Sequence, residues 1–522
     1  MDQLDARDAG FLYAETGTAN ANVSLIQIYD QTTAPGGRIR FKSILAHVAG
    51  RLHLAPRLRQ RLLRVPLELD HPYWVEDEHF DLEYHVRHIA LPRPGDWRQF
   101  CIQASRIHAR ALDLQRPLWE IYVIEGLDGL LNLPSGSFAL LVKMHHAAID
   151  LEHSNALLEL LHDTTPIPRA APPAQPWFPD APPGPFSMLA RGLVRTLTSP
   201  FRLAGPMARV ARRVAPAARA LLAEWRAAGP MPVTRFNAVV SAHRVFETRR
   251  FAERDFVAIA RQVPGATVDD VLLAVCGGGV RRYLQLHGEL PAQPLHALVT
   301  ATGSSAERGP DGTEREPDGT DPTPRTARPA WQRARLGCEI DDPAERLRVV
   351  VAARVPLADA GALRALERAV PAPTLAFAGK VLGRAMHGFA RHAPFVTCTI
   401  AAVGGPAEPQ YLIGARMTYF SAILPISDGM GLVLAVSRYD GQLIVSPTSC
   451  RELMPDPEVF AQCLRDSFQE TLARFPAPPV RRRARRASAG DTESRAGPPD
   501  GTASNAPPAA KGGRRRSTAR AH

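Results

Sequence analysis

The chain has 522 residues, enough for about three domains at roughly 100–200 residues each. Hydrophobic residues make up 45% and charged residues 22%, which excludes a wholly disordered chain, a collagen-like fibre and a coiled coil. The net charge is +11, but residues 476–522 hold eleven Arg/Lys against three acids, so +8 lies in that tail and only +3 on the rest. A basic tail of this kind reads as a solvated, disordered end, with a weak hold on anionic lipid or nucleic acid as the other reading.

In chain order, the opening Met1-Asp2-Gln3-Leu4-Asp5 has neither the basic nor the apolar segment of a signal peptide. Phe41–Leu63 has helical apolar spacing, and Phe100–Leu112 predicts a second amphipathic helix. Ser137–Met144 is a short apolar run between turn residues and predicts a buried strand. Asn155–His162 reads as the start of a helix. Residues 1–165 thus form a first α/β unit.

Residues 166–231 read as a linker. Its first part is Pro-rich, and over 187–229 eight arginines stand against one acid, Glu224, with apolar residues at helical spacing. Such helices either lie on a membrane surface or cross between two domains with one face buried. Residues 232–475 read as a second α/β unit. Within it, Asp269–Leu284 is a long apolar helix. Its Gly277-Gly278-Gly279 points to close packing, because it neither follows a strand nor matches a phosphate loop. A low-complexity insertion at 303–330 predicts a disordered loop. Gly431–Val436 and Leu443–Val445 flank Tyr439-Asp440-Gly441 and predict a hairpin, since Asp-Gly favours a type I′ turn. Residues 476–522 are the basic tail.

Lysine occurs only at Lys42, Lys143, Lys380 and Lys511, which reads as the bias of a GC-rich genome. Six cysteines are scattered without a C-x-x-C or zinc spacing. They read as small core residues in a reducing compartment. No apolar stretch reaches 18 residues, so no transmembrane helix is expected, and contact with lipid is expected from the cytoplasmic side.

The sharpest local feature is Lys143-Met144-His145-His146-Ala147-Ala148-Ile149-Asp150. A histidine of ordinary pKa near 6.5 can take a proton from a hydroxyl or thiol at neutral pH, and a nearby carboxylate can fix its orientation. The same spacing also fits a pair of core or surface histidines. A metal site has no third ligand placed by the sequence.

The segment resembles the HHxxxD motif of the CoA-dependent acyltransferase superfamily. More widely, the chain resembles the bacterial wax ester synthase/diacylglycerol acyltransferase family. Leu4-Asp5-Ala6 with Phe11-Leu12 is similar to its opening LDxxFL, and Leu54–Leu62 and Phe80–Val86 to its N-terminal domain. Leu112-Asp113 with Arg116-Pro117-Leu118-Trp119-Glu120 is similar to its PLW block. Gly265–Val271 resembles its ND block, and Gly414-Ala415-Arg416 and Tyr439–Leu443 resemble late segments. The resemblance spans residues 1 to about 475.

The resemblance implies an α/β fold of two chloramphenicol-acetyltransferase-like domains joined by a helical linker, with a central tunnel. It implies transfer of a long-chain acyl group from acyl-CoA, a co-substrate rather than a cofactor, to diacylglycerol or a long-chain alcohol. Another alcohol, such as a glycolipid, is a further acceptor on the same chemistry. His146 would be the general base, His145 would support the motif, and Asp150 would hold its geometry. No metal and no specific nucleic acid are implied. The protein would be cytoplasmic, peripheral on the inner membrane face or on lipid droplets. Leu151 stands where the motif usually has Gly, followed by Glu152 and His153, and Asp269 replaces the usual Asn of the ND pair. The PVSxR block is not recognisable around Thr300–Ser304, and Ala402-Val403-Gly404-Gly405-Pro406 stands in place of NVPGP. These departures mark a divergent member. They also raise the alternative of a catalytically impaired lipid-binding or lipid-droplet protein on the same fold.

Overall fold

A computed structural model describes residues 2–127, 133–134, 136–148, 160–170, 173, 177–194, 231–301, 330–354 and 395–476. The first half runs β1 (Asp2–Gln3), α1 (Ala6–Ala14), β2 (Asn22–Asp30), α2 (Phe41–Arg51), β3 (Gln60–Leu63), β4 (Tyr73–Glu76), α3 (Leu82–His85), β5 (Val86–Ala90), α4 (Trp97–Ala109), β6 (Trp119–Glu125) and β7 (Phe138–His145). The second runs β8 (Arg244–Phe246), β9 (Arg249–Ala252), α5 (Glu253–Ala260), α6 (Val268–Leu286), β10 (His296–Ala301), β11 (Ala330–Arg335), α7 (Pro343–Ala352), β12 (Cys398–Val403), β13 (Tyr411–Leu412), β14 (Ala415–Ile423), β15 (Val433–Tyr439), β16 (Gln442–Cys450) and α8 (Pro457–Arg474).

Two large sheets result. The first has the order β13-β14-β2-β7-β6-β5, and the second β11-β10-β12-β15-β16-β8, with β9 also pairing β16. A small sheet, β1-β4-β3, stands apart. The strand expected over Ser137–Met144 is β7, and its buried run from Phe138 to Lys143 fits a strand covered on both faces.

The sequence boundaries at 165 and 232 do not bound the sheets. Residues 411–423 leave the second half, and β14 pairs antiparallel with β2, Ile423 opposite Ser24 and Ser421 opposite Ile26. Beside β7, strand β2 would otherwise leave a free edge of unpaired backbone groups, and β14 fills it. Residues Met1–Ala477 accordingly form one compact unit.

Local chemistry explains where the helices depart from the sequence reading. The helix expected over Phe41–Leu63 stops at Arg51; short 3-10 turns follow, and Gln60–Leu63 is strand β3. Pro56 lacks the N–H that a continuing helix needs. Helix α4 begins three residues earlier than expected, because Asp96 caps it: its carboxylate accepts from the Gln99 N–H at 2.8 Å. Helix α6 is capped in the same way. Thr267 Oγ1 accepts from the Asp270 N–H at 3.2 Å, and the Asp270 carboxylate accepts from the Thr267 N–H at 2.8 Å. The ND-like block is therefore the N-terminal cap of α6.

The hairpin is present as β15 and β16, with Tyr439 opposite Gln442. Asp440 and Gly441 both have positive φ, 50° and 70°, as a type I′ turn requires. At the end of the first unit, Asp163 makes a β-bridge to Tyr411; the helix expected from residue 187 is seen over 185–194, starting at Pro185 within the Pro-rich part of the linker. All six cysteines are buried and free. The readings for 155–159, 195–229, 303–329 and the tail from 477 lie outside the described residues; of the first helix start 160–162 are seen, 160–161 as helix and His162 beyond it.

The glycine triplet brings α6 against its neighbours. A Cβ at Gly277 would run into the Leu336 carbonyl oxygen, at Gly278 into the Ser467 hydroxyl, and at Gly279 into the Leu464 side chain. The backbone oxygen at Gly277 cannot swing away as a side chain could. Gly277→Ala should therefore destabilise the fold by about 1–3 kcal/mol through overpacking. Urea unfolding measures this; an unchanged midpoint would mean that α6 shifts freely.

Candidate active site

The two histidines sit where β7 ends. His145 is its last residue and is 1% exposed, and residues His146–Ala148 form a 3-10 turn beyond it. Both backbone amides are held by neighbours. The His145 N–H donates to the Leu118 carbonyl at 3.0 Å, and the His146 N–H donates to the Ala21 carbonyl at 2.8 Å. Leu118 belongs to the PLW block, whose Trp119 is anchored through Nε1 to the Leu58 carbonyl at 2.8 Å.

The His145 ring has a fixed tautomer. Its Nδ1 accepts from the Ala147 N–H at 3.1 Å, so the proton lies on Nε2. Nε2 is 3.1 Å from Glu15 Oε1, a close contact that meets the carboxylate obliquely and outside hydrogen-bond geometry. Glu15 Oε1 also accepts from the Ala21 N–H at 2.9 Å. Burial pushes the Glu15 carboxyl upward, but His145 and the Ala21 amide outweigh it and hold the pKa below the ordinary 4.5.

The His146 ring lies flat on Phe11, with centroids 3.7 Å apart and planes 17° from parallel. Phe11 belongs to α1, the helix of the LDxxFL-like motif. That helix packs on the turn through an apolar cluster of Leu4, Ala9, Leu118 and Ala147. Burial, reinforced by His145, pushes the His146 pKa down to about 4, so its imidazole is neutral at pH 7. A neutral, positioned imidazole can accept a proton. Asp150, the third residue of the motif, lies outside the described residues, as does Leu151.

Lys143 also has a defined place. Alternation along β7 turns it to the same face as His145. It is fully buried, donating from Nζ to the Arg110 carbonyl at 2.5 Å and lying 3.6 Å from Glu120 Oε2. Burial pushes its pKa down to about 8, against the pull of Glu120. Neither Glu15 nor Lys143 was singled out as a site residue from sequence. Glu15 had a weak signal, three residues beyond Phe11-Leu12; the scarcity of lysine concealed Lys143. No group of three or more His, Cys, Asp or Glu suited to a metal ion occurs among the described residues.

The depressed Glu15 pKa has a consequence for stability. Its contribution is fully present above the unfolded value and is lost as the pH falls through the folded one. Glu15→Gln should therefore be less stable than the parent at pH 7 by about 1–3 kcal/mol. The difference should shrink as the pH drops below 4.5. Urea unfolding at a series of pH values checks this; a constant difference would show that the carboxylate charge is irrelevant.

Residues 4–272 match the model of the wax ester synthase/diacylglycerol acyltransferase catalytic domain, and residues 331–471 match that of the family's C-terminal domain. A Mycobacterium tuberculosis protein named as a diacylglycerol O-acyltransferase is 31% identical over 481 residues, covering 90% of each chain. A second protein so named from that species is 31% identical over 464 residues, covering 85% of this chain and 91% of its own. Among solved structures, the wax ester synthase/diacylglycerol acyltransferase of Marinobacter aquaeolei VT8 superposes with a TM-score of 0.62 at 22% identity, covering 91% of this chain and all of that one. The trichothecene 15-O-acetyltransferase of Fusarium sporotrichioides follows at 0.53 and 11% identity, covering 90% and 92%. The fold is thus the α/β fold expected from the motifs, and the chain belongs to the wax ester synthase/diacylglycerol acyltransferase family.

Proposed function

We propose that the chain transfers a long-chain acyl group from acyl-CoA to the hydroxyl of diacylglycerol or of a long-chain alcohol, with His146 as general base. His146 takes the hydroxyl proton as the alcohol oxygen attacks the thioester carbonyl. The C–S bond then breaks, the ester forms, and the proton passes from His146 to the departing CoA thiolate. The observation that carries this reading is the His146 ring: neutral, stacked on Phe11, and fixed through its backbone at the end of a buried strand. His145 and Glu15 orient the turn, and the family resemblance assigns to Asp150 the role of holding the motif's geometry. The reacting groups would meet in a tunnel between the two halves, shielded from water.

Release of free CoA from palmitoyl-CoA, with diacylglycerol and a long-chain alcohol offered separately, tests the reading. His146→Ala should lower acceptor-dependent release by roughly 10²–10⁴-fold. In the parent, the acid limb of kcat/KM should fall near pH 4 rather than near the ordinary 6.5, because only the neutral ring accepts a proton. Equal release by folded parent and variant would remove His146 from the chemistry. Absence of turnover with retained lipid binding would favour the lipid-binding alternative.

A peripheral hold on lipid is the companion reading. Among the described residues no helix is long and apolar enough to cross a membrane. Yet Phe186 and Leu193 are exposed along residues 185–194, beside the segment that presents Leu67, 81% exposed. The arginine-rich stretch begins in the same region, and apolar side chains next to cations suit an anionic bilayer surface. Flotation with phosphatidylglycerol-containing vesicles should weaken in the Phe186→Ser/Leu193→Ser variant. Unchanged flotation would sink this reading.

A further inference from the structure

We propose that Arg244, on the edge strand of the second sheet, is a positioning residue that clamps the 15–21 loop and thereby sets the geometry of His145 and His146 from across the two halves of the molecule. The loop begins at Glu15 and ends at Ala21, the two residues that touch the histidines. Between them, Thr16 and Ala19 close a tight turn. The Thr16 N–H donates to the Ala19 carbonyl at 2.9 Å, and the Ala19 N–H donates to Thr16 Oγ1 at 3.0 Å. This turn leaves the Thr18 carbonyl facing the second half, where Arg244 Nη2 donates to it at 2.7 Å.

Three further contacts make the loop a bridge. Ala19 is buried in the apolar core of the second sheet, among residues such as Phe236 and Val240. Asn20 Nδ2 donates to the Ala109 carbonyl at the end of α4, at 2.8 Å. Asn22 Nδ2 donates to the Arg110 carbonyl at 2.8 Å, the same oxygen that Lys143 Nζ holds. The loop therefore touches the second sheet at Thr18 and Ala19, the first half at Asn20 (and, just beyond it, through Asn22 of β2), and the histidines at both of its ends.

The placement of Arg244 is specific. On β8 it lies opposite Cys450 of β16. Strand alternation turns it to the same face as Phe246, which packs into the cluster holding Phe100 and Ala104 of α4. Arg244 is 7% exposed and donates to two carbonyl oxygens, those of Ser241 and Thr18. Burial pulls its pKa down, and the charges of Asp428 and Glu452 act against that pull. A buried guanidinium bonded to carbonyls is a costly way to hold two surfaces together. Its planar fork does, however, fix a direction, which an apolar contact does not. A shift of the second sheet would pull Thr18, and through Glu15 and Ala21 both histidines would move. The reacting partners meet where the two halves meet, so this clamp registers the base against both.

Only the effect on turnover rests on the acyl-transfer reading; the mechanical coupling does not. Full-length Arg244→Gln is compared with the parent by amide hydrogen exchange and by palmitoyl-CoA turnover. Amides of 15–22 and 144–148 should exchange about tenfold faster, while those of β15 and β16 stay within about twofold. Turnover number should fall on the order of 10²-fold, with KM for palmitoyl-CoA within about threefold. The Glu15→Gln/Arg244→Gln double variant should be little slower than the slower single, because both act through one loop. Arg244→Lys keeps the charge without the fork; it should recover part of the loss, and it replaces the Gln variant if that does not fold. Unchanged exchange at 15–22 and 144–148 overturns the inference, as does acceleration spread equally over β15 and β16. Losses that multiply in the double variant also overturn it. If exchange responds as expected while the parent turns nothing over, the clamp stands and the acyl-transfer reading fails.

Discussion

Both backbone polar groups of Ala21 are bonded to the site. Its carbonyl accepts the His146 N–H at 2.8 Å, and its N–H donates to Glu15, whose carboxylate faces the His145 ring. One residue, through the two peptide groups that flank its Cα, thus ties the histidine turn to the residues that precede β2. Because β2 pairs with β7, Asn22 opposite His145, sheet register and side-chain position are fixed together. A slip of one residue would turn His145 to the other face of the sheet and break every contact around it.

Burial is the second constraint, and it acts on charge. His146, Lys143 and Glu15 are each withdrawn from water, and each is compensated differently. Glu15 keeps its charge through an amide and a histidine; Lys143 has a carbonyl and Glu120; His146 lies against the Phe11 ring. Burial lowers the pKa of both His146 and Lys143, but only the His146 value, already near 6.5 in water, is carried well below pH 7. A base kept neutral by its surroundings is ready to accept a proton at pH 7, at the cost of being a weaker base.

Helix α1 links the opening of the chain to this chemistry. The LDxxFL-like motif places Phe11 on the His146 ring and Ala9 against the turn, while the PLW block supplies the Leu118 carbonyl beneath His145. Motifs far apart in sequence are thus successive layers around one turn. The ND-like block belongs to another layer. Asp270 caps α6 and is paired with Arg354 at 2.8 Å, and Asp269, which stands in place of Asn, is paired with Arg438. That substitution is accommodated by a cation, so it leaves the cap intact.

Much of this was legible in the residues. The apolar run over Ser137–Met144, the Asp-Gly turn at 440–441, the glycine triplet of α6 and the His-His pair each carry a local signal, because strand burial, positive φ and close helix contact act on neighbouring residues. The order of the motif blocks identified the family for the same reason, as a pattern along the chain. What the sequence alone did not determine is long-range. That β14 completes the first sheet depends on pairing residues nearly 400 positions apart. That Glu15 faces His145, that Phe11 covers His146, that Lys143 is a buried cation and that Arg244 reaches Thr18 depend on which surfaces meet once the chain is folded. Such contacts leave no spacing to read, since their partners are brought together by packing rather than by the period of a helix or a strand.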